Sequence, residues 1–211
     1  MPATIPQVRI YTRKGDDGTT GLLYGGRVRK DAARIEVNGA VDEAQAALGL
    51  ARAECQPGSE LDGLLVTLER QLYVLMAEVA TAPANRPKLV PEESLVTDAM
   101  VTRLEEWIDL FSDRFSMPTE FVVPGANRVA AALDLARTLV RRAERVLVSA
   151  PPLDEVPDDA GASSGARVSR GPSHVGAYLN RLSDLVWTMA RWQEGEVHLR
   201  AREAERRRDA G

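Results

Sequence analysis

Between residues 11 and 30 the chain reads YTRKGDDGTTGLLYGGRVRK. This stretch holds five glycines (Gly15, Gly18, Gly21, Gly25 and Gly26), three threonines and a basic residue near each end. Glycine lets a backbone N–H turn toward a bound anion with no Cβ in the way. Successive N–H groups in such turns form a nest that favours phosphate oxygens. Thr12, Thr19 and Thr20 add hydroxyl donors, and Arg13, Lys14 and Lys30 supply charge. The chemistry these residues suit is the cradling of a polyphosphate. Neither familiar phosphate loop is present: there is no G-x-x-x-x-G-K-[ST], and the glycines do not fall as G-x-G-x-x-G. On composition alone a mobile glycine-rich loop fits equally well.

A second cluster lies in ALDLARTLVRRAERVLV, residues 132–148. At ~100° per residue, Asp134, Arg137, Arg141, Glu144 and Arg145 share a sector ~80–100° wide. Leu133, Ala136, Val140, Ala143 and Leu147 fill the adjoining sector and are expected to face a core. Three guanidinium groups and two carboxylates on one face also describe a solvated helix laced by i,i+4 ion pairs. Together with the glycine-rich segment, such a helix can grip a triphosphate from two sides. A third cluster is YLNRLSD, residues 178–184, where Asn180 and Asp184 are i,i+4 neighbours beside Leu179, Leu182 and Leu185. Asparagine is a poor helix former, so Asn180 in mid-helix points to a specific hydrogen bond, to a base or a ribose.

These clusters must be positioned by the rest of the chain. Its 211 residues are enough to bury a core and suggest one domain spanning 1–211. The net charge of −4 disfavours nucleic acid as a partner. Of 27 cationic residues all but Lys14, Lys30 and Lys88 are arginine, the side chain suited to bidentate phosphate pairing. Cys55 is the only cysteine and the histidines are His174 and His198, so neither an intrachain disulfide nor a thiolate metal cluster is available. Cys55 is expected to pack at a helix end. No apolar run approaches the ~20 residues that span a bilayer, the N-terminus lacks a signal-peptide pattern, and the cytoplasm is the expected compartment.

Helical periodicity dominates after residue 34. Residues 35–54 carry Val37, Val41, Ala44, Leu48 and Ala51 on one face, and residues 61–80 repeat leucine at 61, 64, 65, 68, 72 and 75. A loop with Pro83, Pro87 and Pro91 follows. Residues 94–115 place Leu104, Trp107, Ile108, Phe111 and Phe115 on one side. Residues 119–123 are β-prone and stop at Pro124-Gly125. A fourth helix is expected over 127–149, and 173–208 contains a fifth. Residues 151–172, rich in Pro, Gly, Ser and Asp, read as a flexible loop, and 203–211 as a solvated, fraying tail. The fold class is therefore all-α, an antiparallel five-helix bundle preceded by a glycine-rich segment over 1–33.

The motifs IYTRKGDDGTTGLLYGGRVRK, VNGAVDEAQAALGLA, FVVPG, LARTLVRRAER and YLNRLSDLVW, in this order, resemble the PduO-type corrinoid adenosyltransferases over roughly residues 8–194. The resemblance implies transfer of the 5′-deoxyadenosyl group of ATP to cob(I)alamin. It also implies a homotrimer with sites between subunits. Thr12, Arg13, Lys14, Gly15, Gly18, Thr20 and Lys30 match the loop that wraps the ATP phosphates. Arg141, Arg142, Ala143, Glu144 and Arg145 match a box that contacts ATP, with Glu144 near its Mg²⁺. Asn180 matches an asparagine on the nucleotide, and Phe121 an aromatic beneath the cobalt in the cobalamin site. Arg137 and Asp42 match an intersubunit ion pair, Arg137 also lying at the ATP site. Catalytic roles fall to Arg141, Glu144 and Phe121. A flavin reductase and a cobalamin-dependent enzyme are the implied partners.

The chain departs from the family pattern at four places. Pro124-Gly125-Ala126 stands where a Gly-Gly pair is common, and Asp134 where histidine is frequent. The 151–172 loop is longer, and the tail lacks an aromatic that closes over the corrinoid. Two other readings are a nucleotide-binding helical chaperone that delivers a corrinoid without catalysis, and a different ATP-dependent group transferase. Released triphosphate separates both from adenosyl transfer.

Overall fold

The computed structural model describes residues 10–154, 173–196, 199 and 201. A short antiparallel hairpin comes first, β1 (Thr19–Gly21) and β2 (Arg27–Arg29), with Thr20 opposite Val28. Five α-helices follow: α1 (Ala33–Ala53), α2 (Glu60–Val79), α3 (Asp98–Ser112), α4 (Arg128–Ser149) and α5 (Val175–Glu194). A 3-10 helix, Pro83–Lys88, lies between α2 and α3.

The apolar stripes close the bundle as their spacing requires. Val37, Val41, Ala44, Leu48 and Ala51 of α1 are all fully buried, as are Leu65, Leu68, Leu72 and Leu75 of α2. Each leucine so buried contributes about 1.5–3 kcal/mol. The starts of α2, α3 and α4 follow capping chemistry. Ser59 Oγ accepts from the Asp62 N–H at 3.2 Å, Thr97 Oγ1 from Met100 at 3.3 Å and Asn127 Oδ1 from Ala130 at 2.8 Å. Cys55 sits half-buried just beyond α1, its thiol donating to the Ala51 carbonyl at 3.3 Å.

Cross-helix contacts fix the directions. Gln45 reaches the Glu69 carbonyl and Arg52 pairs with Asp62, so α1 and α2 are antiparallel. Arg142 pairs with Glu43 and Arg128 with Glu54, which sets α4 antiparallel to α1. Asp134 meets Arg191 and Glu144 meets Asn180, which reverses α5 against α4. Arg181 pairs with Glu105, while Phe111 stacks on Trp192 with centroids 4.8 Å apart, so α3 and α5 run parallel. The bundle therefore alternates up and down in sequence, as expected of an antiparallel five-helix bundle, and with an odd number of helices it closes on one parallel pair, α3 and α5.

The third helix begins at Asp98 rather than near residue 94. Residues 90–95 instead form a tight turn, with Ser94 Oγ accepting from the Val90 N–H at 2.9 Å and Glu92 at φ 62°. Helix α5 stops at Glu194, because Gly195 takes φ 69° and turns the chain. The backbone then pairs with the β-prone segment, Val123 N–H to Leu199 O at 2.8 Å and Ala201 N–H to Phe121 O at 3.0 Å. Most of the 151–172 loop and the whole 203–211 tail lie outside the described residues. No helix among those described is long and apolar enough to cross a membrane.

The proline-bearing loop conceals a buried ionic node. Glu78 is fully buried, and its carboxylate accepts from Arg86 Nη2 at 3.0 Å, Ser173 Oγ at 2.6 Å and the Val96 N–H at 2.8 Å. Arg34 lies nearby, donating to the Val79 and Thr81 carbonyls at 2.7 and 2.8 Å. Burial, and then the charge of Arg86, pull the Arg34 guanidinium below its usual pKa. Arg86→Met leaves the Glu78 carboxylate buried without its cation. We expect a loss of about 3–5 kcal/mol in urea unfolding, and an unshifted midpoint would show that Arg86 does not neutralise it.

Candidate functional site

The glycine-rich segment is a hairpin bounded by two tight turns. In the first, Arg13 and Gly18 take φ 58° and 80°, and Gly18 N–H donates to Gly15 O at 3.2 Å. In the second, Tyr24, Gly25 and Gly26 take φ 63°, 101° and 93° in succession. Only glycine adopts that region freely, which explains Gly25 and Gly26, while Tyr24 takes it with a side chain. Gly15 is required for a different reason. A Cβ there would stand 3.2 Å from Cε and Nζ of Lys30 and 3.2 Å from the Thr19 carbonyl oxygen. The Lys30 ammonium thus lies directly over a bare stretch of backbone.

The other polar groups of the hairpin divide into those tied into its own hydrogen bonds and those left exposed. Asp17 accepts from the Thr19 N–H at 2.9 Å and from its hydroxyl at 2.8 Å. These bonds, helped by Arg27, hold its carboxyl below the usual range. Arg27 Nε donates to Thr19 Oγ1 at 2.9 Å, and its Nη2 to the Lys14 carbonyl. Thr19 is therefore structural, whereas Thr12, Arg13 and Lys14 are exposed and Thr20 is half-buried opposite Val28. The hairpin is docked on the end of α2 through Leu23 N–H to Ala80 O, 2.9 Å.

On α4 four of the five residues expected at the core are there, Leu133, Ala136, Val140 and Ala143 being fully buried, while Leu147 is only partly buried against the core's edge. Arg141 and Arg145 are exposed, and Arg145 donates to the Arg141 carbonyl at 3.1 Å. Arg142 is turned the other way and pairs with Glu43 of α1. Glu144 Oε1 accepts from Asn180 Nδ2 at 2.9 Å. The specific hydrogen bond expected of Asn180 thus goes, within this chain, to the adjacent carboxylate. Asp134 corrects the expectation of a polar-face residue. It is 5 % exposed, and its Oδ2 lies 2.6 Å from Nη2 of the buried Arg191. Arg137 is half-buried, 3.8 Å from Asp134, and its buried Nε has no hydrogen-bond partner. Asp42 is exposed on α1, and no ion pair among the described residues joins it to Arg137.

One chain does not assemble the two halves of the site. Among the described residues, no hydrogen bond or ion pair links residues 10–30 to α4, and α1 lies between α4 and the helix that carries the hairpin. Beside Asn180, an open groove of about 540 Å³ runs between α3 and α5. Its floor is Ile108 and Trp187 and its rim Glu105, Asp109, Arg181 and Asp184. Phe121 stands at the α5 end where Leu199 and Ala201 pair back; it is 86 % exposed, so core packing is not its role. Periodicity had no signal for the groove, because Arg181 and Asp184 look like an ordinary wet helix edge.

A family model described as cobalamin adenosyltransferase matches residues 10–193. The chain belongs to the cobalamin adenosyltransferase family. As a member, it is an ATP:corrinoid adenosyltransferase of the PduO type. It is similar to the corrinoid adenosyltransferase of Mycobacterium tuberculosis, 36% identical over 187 residues that cover 87% of each chain. A corrinoid adenosyltransferase of Citrobacter freundii is 36% identical over 186 residues, covering 88% of this chain and 95% of that one. Among solved structures, a phenylalanine-to-alanine variant of the PduO-type enzyme from Lactobacillus reuteri, complexed with cobalamin and ATP, superimposes with TM-score 0.74 at 26% identity. That match covers 92% of this chain and all of the other. An arginine-to-lysine variant of the same enzyme, complexed with ATP, gives 0.70 at 25% identity, covering 88% and 94%.

Within this adenosyltransferase, Arg141 is exposed on the candidate nucleotide face and Arg142 is committed to Glu43. Arg141→Ala is expected to lower kcat by about 10²–10³-fold with an unchanged melting temperature. Glu43→Gln is expected to change kcat by less than about tenfold, since the exposed ion pair it breaks is worth ~1 kcal/mol or less. Equal losses in steady-state assays of the two variants would assign the two arginines the same role.

Proposed function

We propose that the enzyme transfers the 5′-deoxyadenosyl group of ATP to cob(I)alamin and releases triphosphate, at sites shared between protomers of a homotrimer. The observation that carries this reading is the split site: a phosphate-cradling hairpin and an arginine face that do not touch within one chain. The hairpin of one protomer, through Thr12, Arg13, Lys14, Gly15, Gly18, Thr20 and Lys30, wraps the phosphates. Arg137, Arg141, Arg145, Glu144 and Asn180 of the next protomer meet the same nucleotide, with Arg142 holding α4 in place through Glu43. The exposed Asp42 is then free to pair with Arg137 across the interface. In this reading the whole chain, 1–211, is one domain and works in the cytoplasm.

Mg²⁺ is implied as the partner of ATP rather than as a resident metal. Among the described residues no cluster of three or more His, Cys, Asp or Glu side chains is placed to hold an ion. A single carboxylate fits the way Mg²⁺ binds, because it keeps several waters and leans on substrate phosphates. Glu144 is that carboxylate, and Asn180 orients it. When bound, the ion neutralises charge on the triphosphate.

The protein supplies position and electrostatics, and the corrinoid supplies the nucleophile. The cobalt electron pair attacks C5′ of the ribose as the C5′–O bond breaks, and triphosphate leaves with that bond's electrons. Holding cobalt and C5′ in line contributes up to about 7–11 kcal/mol. Arg141, Arg145, Lys30 and the hairpin N–H groups stabilise the departing charge. The groove between α3 and α5 lies beside Asn180 and has an apolar floor, and it suits the corrin ring. Phe121, exposed at the end of α5, fills the lower axial side of the cobalt. Excluding an axial donor there favours the electron-rich Co(I) state, which a flavin reductase would supply. A cobalamin-dependent enzyme would take up the product.

Two measurements test this. Anaerobic incubation with cob(II)alamin, reductant, Mg²⁺ and ATP is expected to yield the visible spectrum of a cobalt–carbon bond and one triphosphate per turnover; ADP or pyrophosphate instead would sink the proposal. Phe121→Ala is expected to bind ATP normally and to turn over slowly, at least tenfold below wild type, from cob(II)alamin. A wild-type rate would remove Phe121 from the axial role.

A further inference from the structure

We infer that Asp134 is a positioning residue that links the nucleotide face of α4 to the groove between α3 and α5, so that occupancy at one substrate site changes affinity at the other. The inference rests on the substrate assignments just proposed. Its carboxylate is divided between two arginines that belong to different surfaces. Oδ2 lies 2.6 Å from Nη2 of Arg191, while Oδ1 lies 3.8 Å from Nε of Arg137. Arg137 opens onto the face that carries Arg141. Arg191, 2 % exposed, lies with its guanidinium carbon 5.7 Å from the ring centroid of Trp187, which is the floor of the groove. A continuous line of contacts thus runs from Arg137 through Asp134 and Arg191 to Trp187.

The two arms differ in strength, which makes the arrangement responsive. The Arg191 arm is a short charge-assisted hydrogen bond between groups almost fully out of water. The Arg137 arm is too long for a hydrogen bond, and Arg137 Nε has no other partner. Arg137 is therefore the side chain that can leave when an anion or a carboxylate presents itself on the outer face. Its departure leaves the whole Asp134 charge to Arg191, in an environment of low dielectric where such a change is felt strongly. Arg191 also sits 2.9 Å from Glu194 through both Nε and Nη2. That second carboxylate keeps Arg191 in place while its pull toward α4 varies, so the change reaches Trp187 as a shift in position rather than as a loss of structure. By thermodynamic linkage the effect is reciprocal.

The experiment is calorimetric titration of Mg-ATP into the full chain, with and without saturating cob(II)alamin and with no reductant, so that no turnover occurs. In the wild type, cob(II)alamin is expected to change the ATP Kd by ~5-fold or more. In Asp134→Asn, which keeps a hydrogen-bond acceptor for Arg191 but removes the charge, the two Kd values are expected to agree within about twofold. Arg137→Gln, at a half-exposed position, is expected to abolish the linkage in the same way and serves if Asp134→Asn does not fold. A wild-type Kd indifferent to cob(II)alamin, or variants that retain the wild-type ratio, would overturn the inference while leaving the proposed function standing. Failure of the wild type to bind ATP or cob(II)alamin at all would overturn the proposed function, and this inference with it.

Discussion

The carboxylate of Glu78 holds together the end of the bundle on which the glycine-rich hairpin rests. Removing a carboxylate from water costs several kcal/mol even after relaxation, and this one is fully buried. Three donors from three different segments offset that cost: Arg86 from the 3-10 helix, the Val96 backbone ahead of α3, and Ser173 ahead of α5. Each would otherwise be a loose connection. Bound to one anion, they fix the C-terminal end of α2, whose next residue, Ala80, accepts the hydrogen bond from Leu23 of the hairpin. The geometry of a glycine-rich segment is thus set by a buried charge well outside it.

The same sorting of charge explains how an arginine-rich chain leaves only a few guanidinium groups exposed on the face proposed to meet the nucleotide. Arg114 is held bidentately by Glu60 at 2.6 and 3.0 Å and stacks over Phe111 and Trp192. Arg34 serves backbone carbonyls, Arg86 neutralises Glu78, Arg191 is enclosed by Asp134 and Glu194, and Arg142 is taken by Glu43. Arg141 and Arg145 remain exposed on one face. Tyr178 shows the same economy in a neutral group. Burial pushes its phenol far above the ordinary value, so it stays a donor, 2.7 Å from Gln71 Oε1 across the core.

The helices were legible in the sequence because a core-facing stripe repeats at the helical period, and burial of Val37, Leu48, Leu68 and Leu133 follows from that alone. The turns of the hairpin were legible in their glycines. What escaped was every buried charge. Asp134, Glu78, Arg86 and Arg191 are types that ordinarily face water, and no periodicity marks the one that finds a partner on a neighbouring helix or in the following loop. The end of α5 escaped for a related reason: helical composition continues past residue 195, and only the positive φ of Gly195 with the backbone pairing beyond it stops the helix. The motif order that pointed to the family was legible without any of this, since it is read from residue types and spacing and needs no knowledge of which charges are buried.

The separation of hairpin and arginine face also bears on the proposed sharing of the active site between protomers. Helix α1 is packed between α2, which carries the hairpin, and α4, which carries the arginines. An α-helix with its side chains is about 10–12 Å across. A triphosphate bound to the hairpin would have to cross that width to reach Arg141 of the same chain. A second copy presenting its own α4 beside the hairpin removes the obstacle without altering either half. The exposure of Asp42 and of Leu50 on α1, and of Leu135 on α4, gives such a copy a surface of mixed charge and apolar character to rest on. In the proposed trimer association would complete the site, and enzyme concentration would become a variable of the reaction in the same sense as substrate.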